Sequence, residues 1–416
     1  MSVLTFDAST PGFRENPYPL YRELRETNPV HWSPALKAWV VCRYADVQHV
    51  LRDGALSSDR VTPFFRSQPS EMQAKYAAVL KYLGGWLVFR DAPDHTRLRS
   101  LVARAFTPKE LARIRPNIVG ITEHLLAELP RHGGRTIDLV NEFANPLPAY
   151  VIMDMLGVPR TMLADMKVWS DDIRLFIGTA KSTPDKYDRI NRGTSAMADA
   201  FRRLIREHRL NPQPDVLSTL IAANETPVDG GAAKLSDDEL IATAILFLFA
   251  GHETTTGLIA MGTYHMLGHP DVHRKFLETS GTPAHAAAAV EEFLRFDAPT
   301  PAMVRIALVD QQIGDQHIKV GDRVWALLGA ANRDPTEFAD PNGLNITRTP
   351  NRHVTFGFGP HFCLGAPLAR LEAQIAMPQL HSRFPHMRIA GTPEWTDGLS
   401  LRGPVQVIVE LGASAG

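Results

Sequence analysis

The sequence predicts a mainly α-helical protein with small β-sheets. Through most of residues 95–295, apolar side chains recur three and four positions apart, which is the period of an amphipathic helix. Strand-like alternation occurs only in short segments near residues 30–60, 305–330 and 385–416. Because strands and helices do not alternate along the chain, a doubly wound nucleotide-binding fold is disfavoured.

The composition is that of a folded globular protein, since 44% of the 416 residues are hydrophobic and 21% are charged. We find no repeat or Gly/Ser-rich linker, and we expect a single domain over residues 1–416. The 44 Lys and Arg nearly balance the 45 Asp and Glu, so no global field attracts nucleic acid or an anionic membrane. We therefore expect neither as a partner.

Targeting and redox signals favour a cytoplasmic protein. Asp7 and Pro11 interrupt the N-terminus, which lacks the basic start and apolar core of a signal peptide. The longest apolar run, 241–251, stops well short of the ~20 residues that span a bilayer. The only two cysteines, Cys42 and Cys363, exclude a disulfide framework and a four-cysteine zinc site. A reducing compartment is the simplest interpretation.

The segment FGFGPHFCLG, residues 356–365, places Cys363 directly before a helical pattern. The positive end of a helix dipole favours a thiolate, and neighbouring glycines let backbone N–H groups approach the sulfur. A lone cysteine is more often a small buried apolar residue. A chance match to F-G-x-G-x-H-x-C-x-G in this chain is, however, rarer than roughly one in ten thousand. The segment therefore predicts a metal-bound thiolate at Cys363, whereas Cys42 is expected to be structural.

This segment resembles the haem-binding loop of the cytochrome P450 family. The resemblance implies that Cys363 is the axial ligand of the iron of haem b, since cysteine thiolate is the haem ligand of that family. It also implies that Phe356 and Gly357 lie near the sulfur side of the haem and that His361 binds a haem propionate. The implied fold has a long central helix that crosses the haem.

A long helix is predicted independently. Ser236 and Glu239 have the spacing of a capping box before an apolar run, so a helix should begin near Asp237 and continue towards Pro270. Its middle contains the polar segment AGHETTTG, residues 250–257. Because unpaired buried polar groups cost a few kcal/mol, this segment needs a polar neighbour or a function. For the segment alone, a polar face against solvent or another helix is the simpler interpretation.

The resemblance favours a function for this segment. It corresponds to the oxygen-binding groove of the family, in which Ala250 would border the haem. Thr254 would assist oxygen activation by hydrogen bonding, and Glu253 would help to relay protons from solvent. Threonine can also bond to the carbonyl one turn earlier, which favours a local bend.

A zinc site in the same region is disfavoured. The pair at 252–253 begins like the zinc-protease motif H-E-x-x-H, but Thr256 stands where the second histidine is required. Three histidines at four-residue spacing occur within 265–273, and Pro270 interrupts the helix face that they would share.

Glu292 and Arg295 are three residues apart on a predicted helix and can pair. Alone this is a common surface ion pair. The resemblance places the two in a structural network behind the haem, and Arg348 is the candidate that completes the network.

Three further residues are candidate propionate ligands by resemblance. His95 and Arg99 are four apart on one face of a predicted helix, and Arg305 follows the Glu292–Arg295 helix. Cations paired with buried carboxylates are physically expected. The alternative is that all three face solvent.

The resemblance implies a haem-thiolate monooxygenase that inserts one atom of O2 into a hydrophobic organic substrate by hydroxylation or epoxidation. Electrons would come from a separate ferredoxin and ferredoxin reductase, because the chain ends soon after PVQVIVELG. A docking patch would include Arg97, Arg104 and Lys109. A peroxide-driven peroxygenase and a non-catalytic haem sensor or electron carrier are the alternatives, and the Glu253–Thr254 pair argues against the peroxygenase.

The substrate pocket, by the same resemblance, is built from mostly apolar residues. These are Trp86, Val88, Phe176, Leu246, Phe249, Ala250, Pro299, Met303, Val304 and Leu399.

Overall fold

The computed structural model describes residues 4–133, 136–177, 184–225 and 234–412. Helices dominate these residues, as predicted. The helices are α1 Tyr18–Thr27, α2 Tyr44–Arg52, α3 Val61–Arg66, α4 Ser70–Lys75, α5 Asp94–Val102, α6 Pro108–Gly133, α7 Pro146–Met155, α8 Leu163–Ile177, α9 Lys186–Leu210, α10 Val216–Glu225, α11 Asp237–Leu267, α12 Pro270–Thr279, α13 Pro283–Phe296, α14 Leu328–Ala331 and α15 Ala366–Arg383.

The strands are short and form small sheets. They are β1 Val30–Ser33, β2 Ala38–Val41, β3 Leu56–Ser57, β4 Thr136–Asp138, β5 Met303–Ala307, β6 Gln311–Ile313, β7 Gln316–Ile318, β8 Arg323–Ala326, β9 Arg388–Ile389, β10 Glu394–Trp395, β11 Pro404–Gln406 and β12 Ile408–Glu410. All but β4 lie in the three segments where the sequence predicts strands. Strand β4 was not predicted, because it lies within the stretch 95–295 in which helical periodicity prevails.

The described residues divide into two compact units. Unit one comprises Met1–Leu56, Ile118–Leu147 and Thr254–Gly416, and unit two comprises Ser57–Asn117 and Pro148–Glu253. The boundary falls within helix α11, between Glu253 and Thr254.

The largest sheet has the strand order β1-β2-β8-β5-β3. Strands β2 and β8 are parallel, whereas β1 and β2, and β5 and β8, are antiparallel. Smaller sheets are formed by β4-β12-β9, β10-β11 and β6-β7. One face of the large sheet packs on α2 through buried aliphatic side chains that include Val47, Val50 and Val324. This packing holds β5, and with it Arg305, in place.

Helix α11 begins where the capping box predicts. The backbone N–H of Ser236 donates to Glu239 Oε2 at 2.8 Å, and the N–H of Glu239 donates to Ser236 Oγ at 3.2 Å. Each of the three acidic residues at 237–239 also pairs with a cation from another segment of unit two. The cations are Arg209, Lys81 and Arg97, in that order. Negative charge in the first turn complements the helix dipole, so the start of α11 is held firmly.

The pairing of Arg97 with Glu239 changes the predicted docking patch. The Arg97 side chain is 29% exposed and already has an acidic partner, whereas Arg104 and Lys109 are exposed. Only Arg104 and Lys109 therefore present the cationic surface that the sequence analysis assigned to all three.

Helix α11 is long and apolar enough to span a membrane by length and composition. The protein itself buries 78% of the most apolar window of this helix, however. A long helix in the core of a folded protein is equally apolar, so burial accounts for the composition of α11.

Candidate active site

The cysteine loop has the geometry that its sequence predicts. The backbone N–H of Cys363 donates to the carbonyl oxygen of Phe356 at 2.8 Å, and this bond closes the loop. Helix α15 begins three residues later at Ala366, and the Cys363 side chain is partly exposed. The thiol therefore lies at the positive end of a helix dipole, where its anionic form is favoured.

Two glycines in this loop are required by backbone conformation. Gly357 has a φ of +77° and Gly359 has a φ of +75°, which L side chains rarely adopt. A Cβ at Gly359 would also lie 3.1 Å from the Cα of Arg52. A Cβ at Gly357 would lie 3.6 Å from Cε of Met303, a predicted pocket residue. The loop therefore places strand β5 beside the cysteine segment.

Phe356 is buried, and a cation packs on its ring. The Arg370 guanidinium carbon lies 4.5 Å from the ring centroid, and Arg370 also donates to both carboxylate oxygens of Glu291 at 2.7 and 2.8 Å. Burial opposes ionisation of Glu291, but hydrogen bonds from Arg370 and His353 outweigh it and hold the pKa of Glu291 at about 2. This brace connects α13 and α15 beneath the cysteine loop.

Glu292 and Arg295 form the predicted ion pair, and both side chains are fully buried. Arg295 donates to both carboxylate oxygens of Glu292, at 2.7 and 2.8 Å. Its remaining N–H groups donate to three backbone carbonyls. These belong to Asn332, Pro341 and Gly343. All five guanidinium donors are thus used, which satisfies a buried cation completely.

Arg348 completes this network, as the resemblance implies. Its Nε donates to Glu292 Oε2 at 3.1 Å. Glu292 also accepts from the backbone N–H of Asn345 and from Nδ2 of Asn351. The carboxylate therefore has five donors. The interpretation as a surface ion pair is wrong for these residues, because neither Glu292 nor Arg295 reaches solvent.

The middle of α11 is accessible on one side. Phe249 is 3% exposed, yet the next residue, Ala250, is exposed and Glu253 and Thr254 are partly exposed. A small side chain is accessible inside a buried helix only where open space borders that turn. Open space therefore borders α11 at this turn.

Gly251 in the same turn packs against α7. A Cβ at Gly251 would come 2.9 Å from Cγ1 and 3.1 Å from Cδ1 of Ile152 on α7. Real Cβ atoms essentially never show a contact below 3.0 Å, so a larger residue would require Ile152 or the approach of α7 to α11 to shift.

His252 and Glu253 form a buried pair. His252 Nε2 lies 3.2 Å from Glu253 Oε1, and His252 Nδ1 lies 2.8 Å from the carbonyl oxygen of Leu248. Burial favours neutral forms of both, but their mutual hydrogen bond and attraction outweigh it. The pKa of His252 is therefore raised and the pKa of Glu253 is lowered from their ordinary values.

The predicted propionate ligands are placed in helices and strands of both units. His95 and Arg99 are on α5 in unit two, where His95 is buried and Arg99 is partly exposed. Arg305 is on β5 in unit one, and its Nη1 donates to the carbonyl oxygen of Val304 at 3.0 Å. His361 is partly exposed at the end of the short 3-10 helix Gly359–His361. A solvent-facing role is excluded for His95 and Arg305 by their burial.

Part of the predicted pocket forms an aromatic group in unit two. The Trp86 ring stacks on Phe89 and lies 5.5 Å from Phe249 on α11. Val88, the middle residue of the short helix Leu87–Phe89, is 44% exposed. The apolar character predicted for this wall is therefore present beside the accessible turn of α11.

Among the described residues, no group of three or more His, Cys, Asp or Glu side chains is arranged to hold a metal ion. His265 instead pairs with Asp297 at 2.8 Å, and His273 pairs with His381 at 3.0 Å. His265 and His273 therefore have separate protein partners.

Two features of the site escaped the sequence analysis. His252 was considered only as half of a zinc motif, although a histidine beside a glutamate on an apolar helix is itself a signal of a buried pair. The brace of Glu291, His353 and Arg370 had no sequence signal, because His353 is 62 positions and Arg370 is 79 positions from Glu291.

Comparison with known proteins identifies the family. A family model described as Cytochrome P450 matches residues 30–281 and 285–398. The chain belongs to the cytochrome P450 family. It is therefore a haem monooxygenase in general terms, and the P450 fold expected from the cysteine loop is confirmed.

Three relatives show how close the resemblance is. The polyketide biosynthesis cytochrome P450 PksS of Bacillus subtilis is 35% identical, covering 99% of this chain and all of the relative. The vitamin D(3) 25-hydroxylase of Pseudonocardia autotrophica is 36% identical, and the match covers 96% of this chain and 95% of the relative. The structure of P450BioI with hexadec-9Z-enoic acid ligated acyl carrier protein matches with a TM-score of 0.87 and 33% identity. The match covers 96% of this chain and 98% of that structure's chain.

Proposed function

We propose that residues 1–416 act as one haem-thiolate monooxygenase domain that inserts one oxygen atom from O2 into a hydrophobic organic substrate, by hydroxylation or epoxidation. The single observation that carries this proposal is the Cys363 loop. Its closing hydrogen bond, its two left-handed glycines and its place before α15 together present one thiolate donor without steric obstruction. The P450 family uses such a thiolate as its haem ligand.

The residues fit haem b. Cys363 would ligate the iron, and Phe356, Gly357 and Ala250 would contact the haem. His95, Arg99, Arg305 and His361 would bind the propionates. Buried cationic side chains are stable when they meet anionic groups, and two propionates supply such groups.

When bound, the haem supplies the iron at which dioxygen is reduced. The protein must deliver protons and exclude bulk water. Thr254 lies at the accessible turn of α11 and would donate or accept a hydrogen bond through its hydroxyl. Glu253 precedes it and would carry protons from solvent. Both roles agree with the partial exposure of these two side chains.

The partners follow from the same proposal. We expect electrons from a separate ferredoxin and its reductase, docked near the exposed cations Arg104 and Lys109. The names of the relatives refer to a polyketide pathway, vitamin D3 and a carrier-bound fatty acid, which share hydrophobicity and little else. We expect a hydrophobic substrate of this chain, neither nucleic acid nor membrane as partner, and a cytoplasmic location.

Replacement of Cys363 tests the ligand assignment. We expect Cys363→Ser to abolish the thiolate-type spectrum of the ferrous carbon monoxide complex, because a serine oxygen cannot replace the thiolate. Cys42→Ala is the matched control, since Cys42 is fully buried and burial raises the pKa of its thiol to about 12. A thiolate-type spectrum in Cys363→Ser would overturn the assignment.

Turnover separates the monooxygenase from its alternatives. With a surrogate ferredoxin system we expect product, and Thr254→Ala should divert most electrons to peroxide instead of product. Equal or faster turnover with hydrogen peroxide alone would favour a peroxygenase. Absence of turnover under both conditions, with an intact thiolate spectrum, would favour a haem sensor or electron carrier.

A further inference from the structure

The geometry of the His252–Glu253 pair requires a proton between the two side chains. A carbonyl oxygen only accepts hydrogen bonds, so the 2.8 Å contact with Leu248 requires a hydrogen on His252 Nδ1. In the neutral imidazole Nε2 is then a bare acceptor, and a carboxylate oxygen 3.2 Å away would repel it. The contact is favourable only when a proton lies between Nε2 and Oε1.

The surrounding charges decide where this proton resides. Asp171 on α8 raises the pKa of His252 further, and Arg174 and Lys167 on the same helix lower the pKa of Glu253. The resting pair is therefore imidazolium and carboxylate, with the proton on His252 Nε2. Exposure falls along the cluster, from 40% for the Asp171 side chain to 16% for Glu253 and 7% for His252. The proton is thus stored at the most buried member.

We propose that His252 positions Glu253 and stores the proton that Glu253 delivers, a role that rests on the monooxygenase function proposed above. The hydrogen bond turns the carboxylate towards His252 and keeps it from taking up other partners. Because His252 is anchored one helical turn back on Leu248, it does not follow Glu253 when that carboxylate rotates. His252 is a positioning residue, and Glu253 is the group that moves.

The proton transfer balances within the pair. The N–H bond at His252 Nε2 breaks, an O–H bond forms at Glu253 Oε1, and both groups become neutral. Neutral Glu253 loses the attraction that held it to the imidazolium and can rotate towards Thr254, where it gives up the proton. A proton from solvent then restores the imidazolium, and the carboxylate returns to it.

The same chain contains a matched pair that lies elsewhere. His208 on α9 is also buried, with Nδ1 2.9 Å from the carbonyl oxygen of Leu204 and Nε2 2.8 Å from Asp215 Oδ2. Asp215 differs from Glu253 because its other oxygen accepts from the backbone N–H of Ser218 at 2.7 Å. This carboxylate closes the turn between α9 and α10. His208 therefore controls for loss of a buried, carbonyl-anchored histidine.

A titration tests the pair without substrate or turnover. In ¹⁵N-histidine-labelled protein, in the diamagnetic ferrous carbon monoxide form, the His252 signal is identified by its absence in His252→Gln. We expect it to titrate above pH ~6.5, the ordinary value for histidine. In Glu253→Gln the hydrogen bond and the attraction of the carboxylate are lost while burial, Asp171 and the Leu248 carbonyl remain, so the titration should fall by about one unit or more. An unchanged titration in Glu253→Gln would overturn the proposal. If no haem-thiolate spectrum forms, the proposed function fails, yet the titration can still be recorded on the protein without haem.

The pH profile of turnover tests the role. In the wild type, coupled product formation should fall as the pH rises through the pKa of His252, since the stored proton is then lost. His252→Gln keeps a donor to Glu253 but cannot store a proton. It should lower coupled turnover about 10–100-fold, the usual effect of removing a residue that orients a functional group, and it should abolish that alkaline limb. His208→Gln should keep the wild-type profile.

Two results would contradict the role. Wild-type turnover with an unchanged alkaline limb in His252→Gln would show that His252 is structural. An equal shift of the profile in His208→Gln would show that loss of any buried histidine has the same effect. If His252→Gln does not fold, His252→Phe identifies the signal instead, and the Glu253→Gln titration decides, because it leaves His252 in place.

Discussion

Glu292 in unit one and Glu253 in unit two are both glutamates on helices, but they have different surroundings. Glu292 is fully buried and accepts five hydrogen bonds from four residues. Within the part of the chain that the structure describes, Glu253 is bonded to His252 alone, and its side chain is 16% exposed. The Glu292 carboxylate is saturated with hydrogen bonds, whereas Glu253 has one hydrogen-bond partner among the described residues.

The number of hydrogen bonds determines which of the two carboxylates can rotate. A hydrogen bond to a charged group contributes about 1.5–3 kcal/mol, so rotation of Glu292 would break several such bonds at once. Rotation of Glu253 breaks one, and proton transfer within the pair weakens that bond first. Burial alone therefore does not predict rigidity, because the number of donors decides whether a buried carboxylate can move.

Loss of the charge on Glu292 should have the largest effect on stability. Glu292→Gln leaves Arg295 and Arg348 without their buried counterion, and we expect the free energy of unfolding to fall by about 3–5 kcal/mol. Chemical denaturation followed by circular dichroism measures this change. Asp271→Asn is the control, because Asp271 and Arg274 have the same three-residue spacing but are 90% and 69% exposed. It should cost less than ~0.5 kcal/mol. If Glu292→Gln and Asp271→Asn lowered the free energy of unfolding equally, the buried ion pair would contribute no more than the exposed one.

Gly251→Ala should have an intermediate effect and sharpens the comparison, because it tests whether the turn that carries Glu253 is itself tightly held. The new Cβ would overlap Cγ1 of Ile152, and overpacking of this kind costs about 1–3 kcal/mol. Ile152→Ala in the same chain should recover part of the loss, measured as a double-mutant cycle. Gly120→Ala in α6 is the control, because no atom lies within 4 Å of the new Cβ. It should be neutral or stabilising, by up to ~1 kcal/mol. Additive losses at Gly251 and Ile152 would contradict the contact.

Glu253→Gln should have the smallest effect on stability. The free energy of unfolding should change by less than ~1 kcal/mol, because His252 can lose its proton and no unpaired charge remains buried. Turnover should nevertheless fall about 10²-fold, the scale of one lost proton-transfer group. Denaturation and coupled turnover are measured on the same preparations. A stability loss as large as that of Glu292→Gln would show that the two carboxylates play the same structural part.

Local spacing was sufficient for the features whose partners are neighbours in sequence. Ser236 and Glu239 predicted the start of α11 because a capping box closes within one turn. Glu292 and Arg295 predicted their ion pair because residues three apart share a helix face. The resemblance of the cysteine loop added Arg348, which is 56 residues from Glu292. Asn345, Asn351 and the brace beneath Phe356 depend on chain segments that only folding brings together.

The sequence by itself determined the family and most of the helices and short strands, because the ten-residue cysteine loop and the local periodicity of apolar residues depend only on neighbours in sequence. Only the tertiary structure decided that Glu292 is saturated with hydrogen bonds and that Glu253, among the described residues, has one hydrogen-bond partner. The number of hydrogen bonds depends on donors supplied by remote backbone and side chains, such as Asn345, Arg348 and Asn351 for Glu292. The chemistry of a carboxylate is the same at both positions, and the count of its neighbours gives the two glutamates different roles.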